Sequence, residues 1–154
     1  MNIKIKKIYE DAVIPTKGSP DAAGYDMYAH SYTDADAPHD IDELIIFPHE
    51  TKKIGTGVSM EIPQGVVGLL FARSGIATKQ GLRPANCVGV IDPDFRGEIA
   101  VAMHNDTDNT QVISAGSRIA QMVFVPYIDA YFSEVNDLSD TIRGEGGFGH
   151  TGMN

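Results

Sequence analysis

Short runs of alternating apolar and polar residues fill this chain. Ile3 and Ile5 alternate with lysines. Leu44 to Phe47, Thr56 to Ile62, Val66 to Phe71, Val88 to Ile91, Ile99 to Met103, Gln111 to Ile113 and Ile119 to Val125 all have the period and residue types of strands. Gly, Pro, Asn and Asp punctuate them at the intervals typical of sandwiches and barrels. No long helical period appears. The one helix predicted is short, from about Ser74 to Gln80, with Ser74 as its cap and Gly81 closing it. The pattern predicts an all-β chain, a single jelly-roll-like domain over residues 1–136. A glycine-rich, mobile C-terminal arm follows over 137–154.

Composition narrows the class. With 154 residues, 42% of them hydrophobic and 21% charged, the chain can build one globular core. No apolar run approaches the roughly 20 residues that span a bilayer, and the N-terminus lacks the apolar stretch of a signal peptide, so a cytoplasmic protein is expected. The single cysteine, Cys87, excludes an internal disulfide or a Cys-rich metal site, and is expected to be a small buried residue. The net charge of −9 argues against nucleic-acid or membrane partners, which need a basic surface.

Chemistry concentrates in a few segments. In Gly89 to Glu98 an apolar strand runs into Asp92, then a Pro93-Asp94 turn, then Phe95-Arg96-Gly97 and a second strand, the pattern of a hairpin. Asp92 at the buried end of such a hairpin is placed to act as a general base on a water, although Asp-Pro pairs also simply start turns. Asp94 reads as structural, because Pro93 breaks the strand period. Arg73-Ser74-Gly75 opens the predicted helix, whose N-terminal N–H groups suit either a phosphate or a plain cap. The stretch Arg143 to Gly152 holds five glycines in ten residues. It is not a Walker A loop, since Gly-Lys-Ser/Thr and a following helix are missing.

Five segments together resemble the trimeric all-β dUTP pyrophosphatases, in the order of that family. They are Ala23-Gly24-Tyr25-Asp26-Met27, Ala72-Arg73-Ser74-Gly75-Ile76-Ala77, Gly89 to Glu98, Gly116-Ser117-Arg118-Ile119-Ala120-Gln121-Met122 and Arg143 to Gly152. Four of the five arginines fall inside them. The resemblance implies the jelly-roll-like β-clip fold and hydrolysis of dUTP to dUMP and pyrophosphate by water attack on the α-phosphorus. Such a reaction keeps uracil out of DNA and supplies dUMP for thymidylate synthesis.

The resemblance also implies roles. Asp92 would be the general base, and Arg73, Ser74 and Gly75 would hold the triphosphate. Asn86, Gly89, Val90 and Ile91 would form the uracil pocket, with Gln121 near the site. Phe95 would pack under the deoxyribose, where the family more often has tyrosine. Arg143, Phe148, Gly149 and Thr151 would close as a lid, with Phe148 over the uracil and Arg143 on the γ-phosphate. His150 stands where many relatives have serine. Arg118 would join an ionic cluster. Mg²⁺ would accompany the substrate, with Asp26 reaching it through water. A homotrimer with active sites at subunit boundaries is implied. A dCTP deaminase shares the fold, but it needs a glutamate over the ring, and Asn86 to Asp92 contains none. A regulatory protein that binds dUTP or a partner protein without turnover is the alternative outside enzymology; the acidic, turn-rich stretch His30 to Glu43 would be such a surface, although it reads first as a solvated loop.

Overall fold

The computed structural model describes residues 1–32 and 43–147. Along the chain run β1 (Lys4–Lys7), β2 (Thr16–Lys17), β3 (Tyr25–Tyr28), β4 (Ser31–Tyr32), β5 (Glu43–Ile46), β6 (Thr51–Gly55) and β7 (Val58–Glu61). Then come β8 (Val66–Phe71), α1 (Ser74–Gln80), β9 (Leu82–Pro84), β10 (Val88–Ile91), β11 (Ala100–Asn105), β12 (Gln111–Ser114) and β13 (Arg118–Pro126). They form a five-stranded sheet ordered β10-β8-β13-β3-β2, a four-stranded sheet β4-β6-β11-β9, and the pairs β1-β7 and β12-β5. Every pairing is antiparallel. The all-β, jelly-roll-like expectation holds.

The core follows from the period-two pattern. On β11, Val101, Met103 and Asn105 point inward while Ala100, Ala102 and His104 stay half-exposed. β5 alternates likewise, with Leu44 and Ile46 inside. These side chains join Met27, Ile54, Val58, Leu82, Ile99, Ile119 and Met122 in one cluster fed by all four sheets. Burying each such side chain stabilises the fold by about 1.5–3 kcal/mol.

Several details depart from the pattern. Strands β2, β3, β4, β6 and β9 are not among the runs that the alternating pattern marks. β6 carries Lys52 and Lys53, so its apolar signal is thin. Its strand state comes instead from a five-residue register with β11, from Ala100 opposite Gly55 to His104 opposite Thr51. β9 ends in Pro84, which an edge strand tolerates. The expected hairpin across Asp92 does not form. β10 pairs with β8, while β11 pairs with β6 and β9, so the Asp92 turn carries the chain from one sheet to the other.

The helix has its predicted bounds, and Gly81 closes it in the left-handed region at φ 65°. Its cap is Arg73, not Ser74, and Arg73 makes no side-chain capping bond. Cys87 is exposed rather than buried, and it adopts φ 61°, uncommon outside glycine. There it forms a tight corner, its N–H donating to Pro84 O at 3.0 Å, which aims the chain into β10.

Tyr127 to Gly147 follows β13 without strand or helix. Its apolar side chains are turned outward, with Phe132 98% exposed. No described helix is long and apolar enough to cross a membrane.

Candidate active site

Strand register builds the first part of the site. Asp26 on β3 faces Gln121 on β13, and Gln121 in turn faces Phe71 on β8. Register partners share a sheet face, and Arg73 lies two residues beyond Phe71, so Asp26, Gln121 and Arg73 converge. Arg118 would fall on the opposite face by simple alternation, being three residues from Gln121. A bulge between Arg118 and Ala120 adds one residue and sets Arg118 opposite Tyr28, on the Asp26 side.

These residues interlock. Arg73 Nε donates to Asp26 Oδ1 at 2.7 Å, and Arg118 Nη1 donates to Asp26 Oδ2 at 3.1 Å. Arg73 Nη1 also reaches the Arg118 carbonyl at 3.2 Å. Gln121 Nε2 donates to Ala72 O at 2.9 Å, which fixes the backbone just before the helix. Gly24 permits this: a Cβ there would stand 2.6 Å from Gln121 Oε1. The result is a pocket of about 180 Å³ lined by Asp26, Arg73, Ser74, Gly75, Arg118 and Gln121, among others. Two guanidiniums beside open backbone at a helix start suit an anion, and phosphate oxygens above all.

The second part lies at the other end of β8. Ile91 faces Gly68, and Val88 faces Phe71. Asp92 therefore follows the Gly68 end, while Arg73 follows the Phe71 end. Arg73 lies five residues along the chain from Gly68, with Ala72 and Arg73 already beyond the strand, so the two are up to about 17 Å apart. Asp92 is exposed and borders an open hollow of about 920 Å³, with Val67, Leu69, Val90, Asp94 and Arg96. The burial expected for Asp92 is not found in the single chain.

Glu61, on the same hollow, was not singled out by the sequence. Lys4 Nζ bonds its Oε1 at 2.8 Å and, with its charge, holds that carboxyl below the usual range. It therefore stays ionised near neutrality. Its signal was the pairing of Lys4 with Glu61 across β1 and β7, which only the register reveals.

The turn after Asp92 is tightly tied. Phe95 N donates to Asp92 O at 3.2 Å, and Arg96 Nη1 donates to the carbonyls of Pro93 (2.6 Å) and Phe95 (2.9 Å). Phe95 is 42% exposed. β10 is the edge of its sheet, so the outer row of backbone groups along Val88 to Ile91 pairs with no other described strand. Asn86 sits exposed at the corner before it, and a Cβ on Gly89 would come 3.7 Å from Asn86 Nδ2.

Arg143 stands apart in a local turn, its Nε donating to Gly146 O at 2.7 Å. Phe148, Gly149, His150 and Thr151 lie outside the described residues, as does most of the acidic stretch between His30 and Glu43.

The dUTPase family model matches residues 10–152. The deoxyuridine 5'-triphosphate nucleotidohydrolase of Nautilia profundicola is 43% identical over 152 residues, covering 99% of both chains. That of Hydrogenobaculum sp. is 39% identical over 153 residues, again with 99% of each covered. Among solved structures, the Staphylococcus bacteriophage 80alpha dUTPase G164S mutant with dUpNHpp superposes with a TM-score of 0.84. It shares 27% identity, over 98% of each chain.

Proposed function

The chain belongs to the dUTPase family, and from that premise we propose how its own residues divide the hydrolysis of dUTP to dUMP and pyrophosphate. The observation that carries the division is the separation of Asp92 from Arg73 and Ser74 at opposite ends of β8. A water held by Asp92 must meet the α-phosphorus while Arg73, Ser74 and Gly75 hold oxygens of the same triphosphate. Groups at the two ends of β8, with the Arg73 guanidinium held back on Asp26, do not both reach one α-phosphorus. A second copy that sets its Arg73–Ser74 end beside the Asp92 turn can. A homotrimer with one site at each subunit boundary closes such heterologous contacts into a ring. The outward-facing Ile128, Tyr131 and Phe132 support it, because apolar side chains so exposed in one chain have room to pack on the next.

In that site the free edge of β10 reads the base. The backbone of Asn86, Gly89, Val90 and Ile91 offers a fixed row of donors and acceptors. Uracil and cytosine differ along one edge, and a mismatch leaves buried polar groups unpaired. Phe95 lies under the deoxyribose and excludes a 2′-hydroxyl by its bulk. Gln121 keeps the Ala72 carbonyl, and with it the phosphate-binding turn, in place.

The Asp92 carboxylate orients a water and takes its proton as the oxygen attacks the α-phosphorus. The bond from the α-phosphorus to the bridging oxygen breaks, and pyrophosphate leaves with the electron pair. Base assistance contributes about 10²–10⁴-fold, and charge neutralisation by Arg73 and its neighbours supplies more. Arg143, Phe148, Gly149 and Thr151 form the lid over this assembly, which makes residues 137–154 a functional unit separate from the β body at 1–136. Closure excludes water and strengthens the ionic contacts inside.

A divalent cation fits in one way. No group of three His, Cys, Asp or Glu side chains capable of caging a metal occurs among the described residues. Both Asp26 oxygens already accept arginine bonds, yet a carboxylate has further lone pairs. Asp26 is therefore the residue that would hold, through water, a Mg²⁺ carried in by the triphosphate. Such an ion would supply positive charge against the phosphates, which a chain of net charge −9 otherwise repels.

The test is ³¹P NMR of the protein with dUTP, dCTP, dTTP and UTP, each with Mg²⁺ and then with EDTA. Pyrophosphate from dUTP alone supports the reading. Unchanged dUTP points to a binding protein, and ammonia release from dCTP, read by a parallel ammonia assay, to a deaminase.

A further inference from the structure

We propose that Gly97 is a specificity-determining residue: its bare Cα seats the Phe95 ring, and that seat sets where the sugar wall stands. The inference rests on the reading of Phe95 as the wall against a 2′-hydroxyl.

The contact is close and one-sided. A Cβ on Gly97 would lie 2.6 Å from Phe95 Cζ, 3.0 Å from Cε2 and 3.5 Å from Cε1. Real Cβ atoms essentially never approach a neighbour below 3.0 Å, so any side chain at 97 must displace the ring. The backbone itself does not call for glycine here. Among the described residues the glycines at positive φ are Gly57, Gly65, Gly81, Gly116 and Gly144, and Gly97 is not one of them. Only the ring demands that the position be bare.

What yields is the ring and not the loop. The backbone around it is held by the Phe95 N–H on Asp92 O and by Arg96 Nη1 on the carbonyls of Pro93 and Phe95. The ring is 42% exposed, so it can rotate away with little lost packing. A side chain at 97 thus leaves stability nearly unchanged and relocates the surface that meets the sugar. Ribose differs from deoxyribose by one oxygen atom, so a shift of the wall by a fraction of an ångström changes the discrimination. The usual tyrosine has a phenol that can add a hydrogen bond of its own. Phe95 lacks it, so the ring's place depends on its packing seat.

The experiment measures kcat/KM for dUTP and for UTP in the parent, Gly97→Ala, Phe95→Leu and the double variant, with urea midpoints for each. Gly97→Ala is expected to lower the dUTP-to-UTP ratio roughly tenfold, the low end of a methylene-sized misfit, at an unchanged midpoint. Phe95→Leu lowers the ratio too. In the Phe95→Leu background Gly97→Ala has no further effect, because the atoms it would strike are gone. A ratio unmoved by Phe95→Leu overturns the sugar-wall reading itself. A ratio moved by Phe95→Leu but not by Gly97→Ala overturns the role of Gly97 alone. So does an equal Gly97→Ala effect in both backgrounds. Should Gly97→Ala fail to fold, the double variant folds if the ring is the cause, and an unfolded double variant overturns the proposal.

Discussion

Arg73 Nε sits 2.7 Å from Asp26 Oδ1, tying the residue that caps the helix to the middle of β3. Arg118 takes the other carboxylate oxygen, so Asp26 stands between two guanidiniums. The carboxylate is nearly buried, at 7% exposure, and cannot be removed quietly.

Asp26→Asn keeps the shape but loses the charge between two cations. Hydrogen bonds to charged groups are worth about 1.5–3 kcal/mol each, and the partial exposure of both arginines discounts that. We expect a loss of about 2 kcal/mol in urea unfolding. An unchanged midpoint would show that the cluster contributes nothing to stability.

Asn105 is the polar counterpart in the core. It is fully buried, and Nδ2 donates to the carbonyls of Ile46, Phe47 and Asn109 while Oδ1 accepts from Thr107 N and Oγ1. It thereby joins the end of β5 to the loop before β12. Asn105→Ala leaves several of those groups unpaired and is expected to cost about 3 kcal/mol. Differential scanning calorimetry would read this as a melting point lower by roughly 6–12 °C.

Much of this layout was legible in the sequence. Val66–Phe71, Val88–Ile91 and the helix Ser74–Gln80 have the bounds that apolar spacing and Gly81 imply. Local signals stopped where long-range pairing decides. β6 is a strand because β11 lies beside it. The Asp92 segment is not a hairpin because its flanking strands find partners elsewhere. Arg118 reaches Asp26 only through the bulge at β13, and strict alternation points it the other way. The motif order carried the family, yet the distance between Asp92 and Arg73 within one chain could come only from the register of β8 and β10.

Chelation of divalent cations should suppress turnover more than folding. The chain has no cage of its own among the described residues, so EDTA is expected to leave the melting temperature unchanged. Pyrophosphate release from dUTP should fall by at least about tenfold, since neutralised phosphate charge is worth several kcal/mol in such transition states. A marked drop in melting temperature with EDTA would instead reveal a structural ion.

Truncation after Ile142 tests the lid. The residues after β13 that the structure describes are outward-facing and add nothing to the core cluster, so the shortened chain should fold with an unchanged urea midpoint. Turnover of dUTP should drop by roughly two orders of magnitude, the scale set by lost positioning and water exclusion. Full activity of the truncated protein would end the lid assignment.

The division of the site between copies makes a sharper prediction. Asp92→Asn alone should bind dUpNHpp but lose about 10²–10⁴-fold in turnover, and Arg73→Ala alone should be disabled through phosphate binding. Suppose the two variants are unfolded together in equal amounts and reassembled. If Asp92 and Arg73 of one site come from different copies, a boundary works when the Asp92 side is an Arg73→Ala chain and the Arg73 side is an Asp92→Asn chain. Each condition holds half the time, so about a quarter of the boundaries in a randomly mixed ring regain both groups. Activity should therefore return to about a quarter of the parent value, from two nearly inactive proteins. If both groups came from one chain, every site would still lack one of them, and the mixture would stay as inactive as its parts.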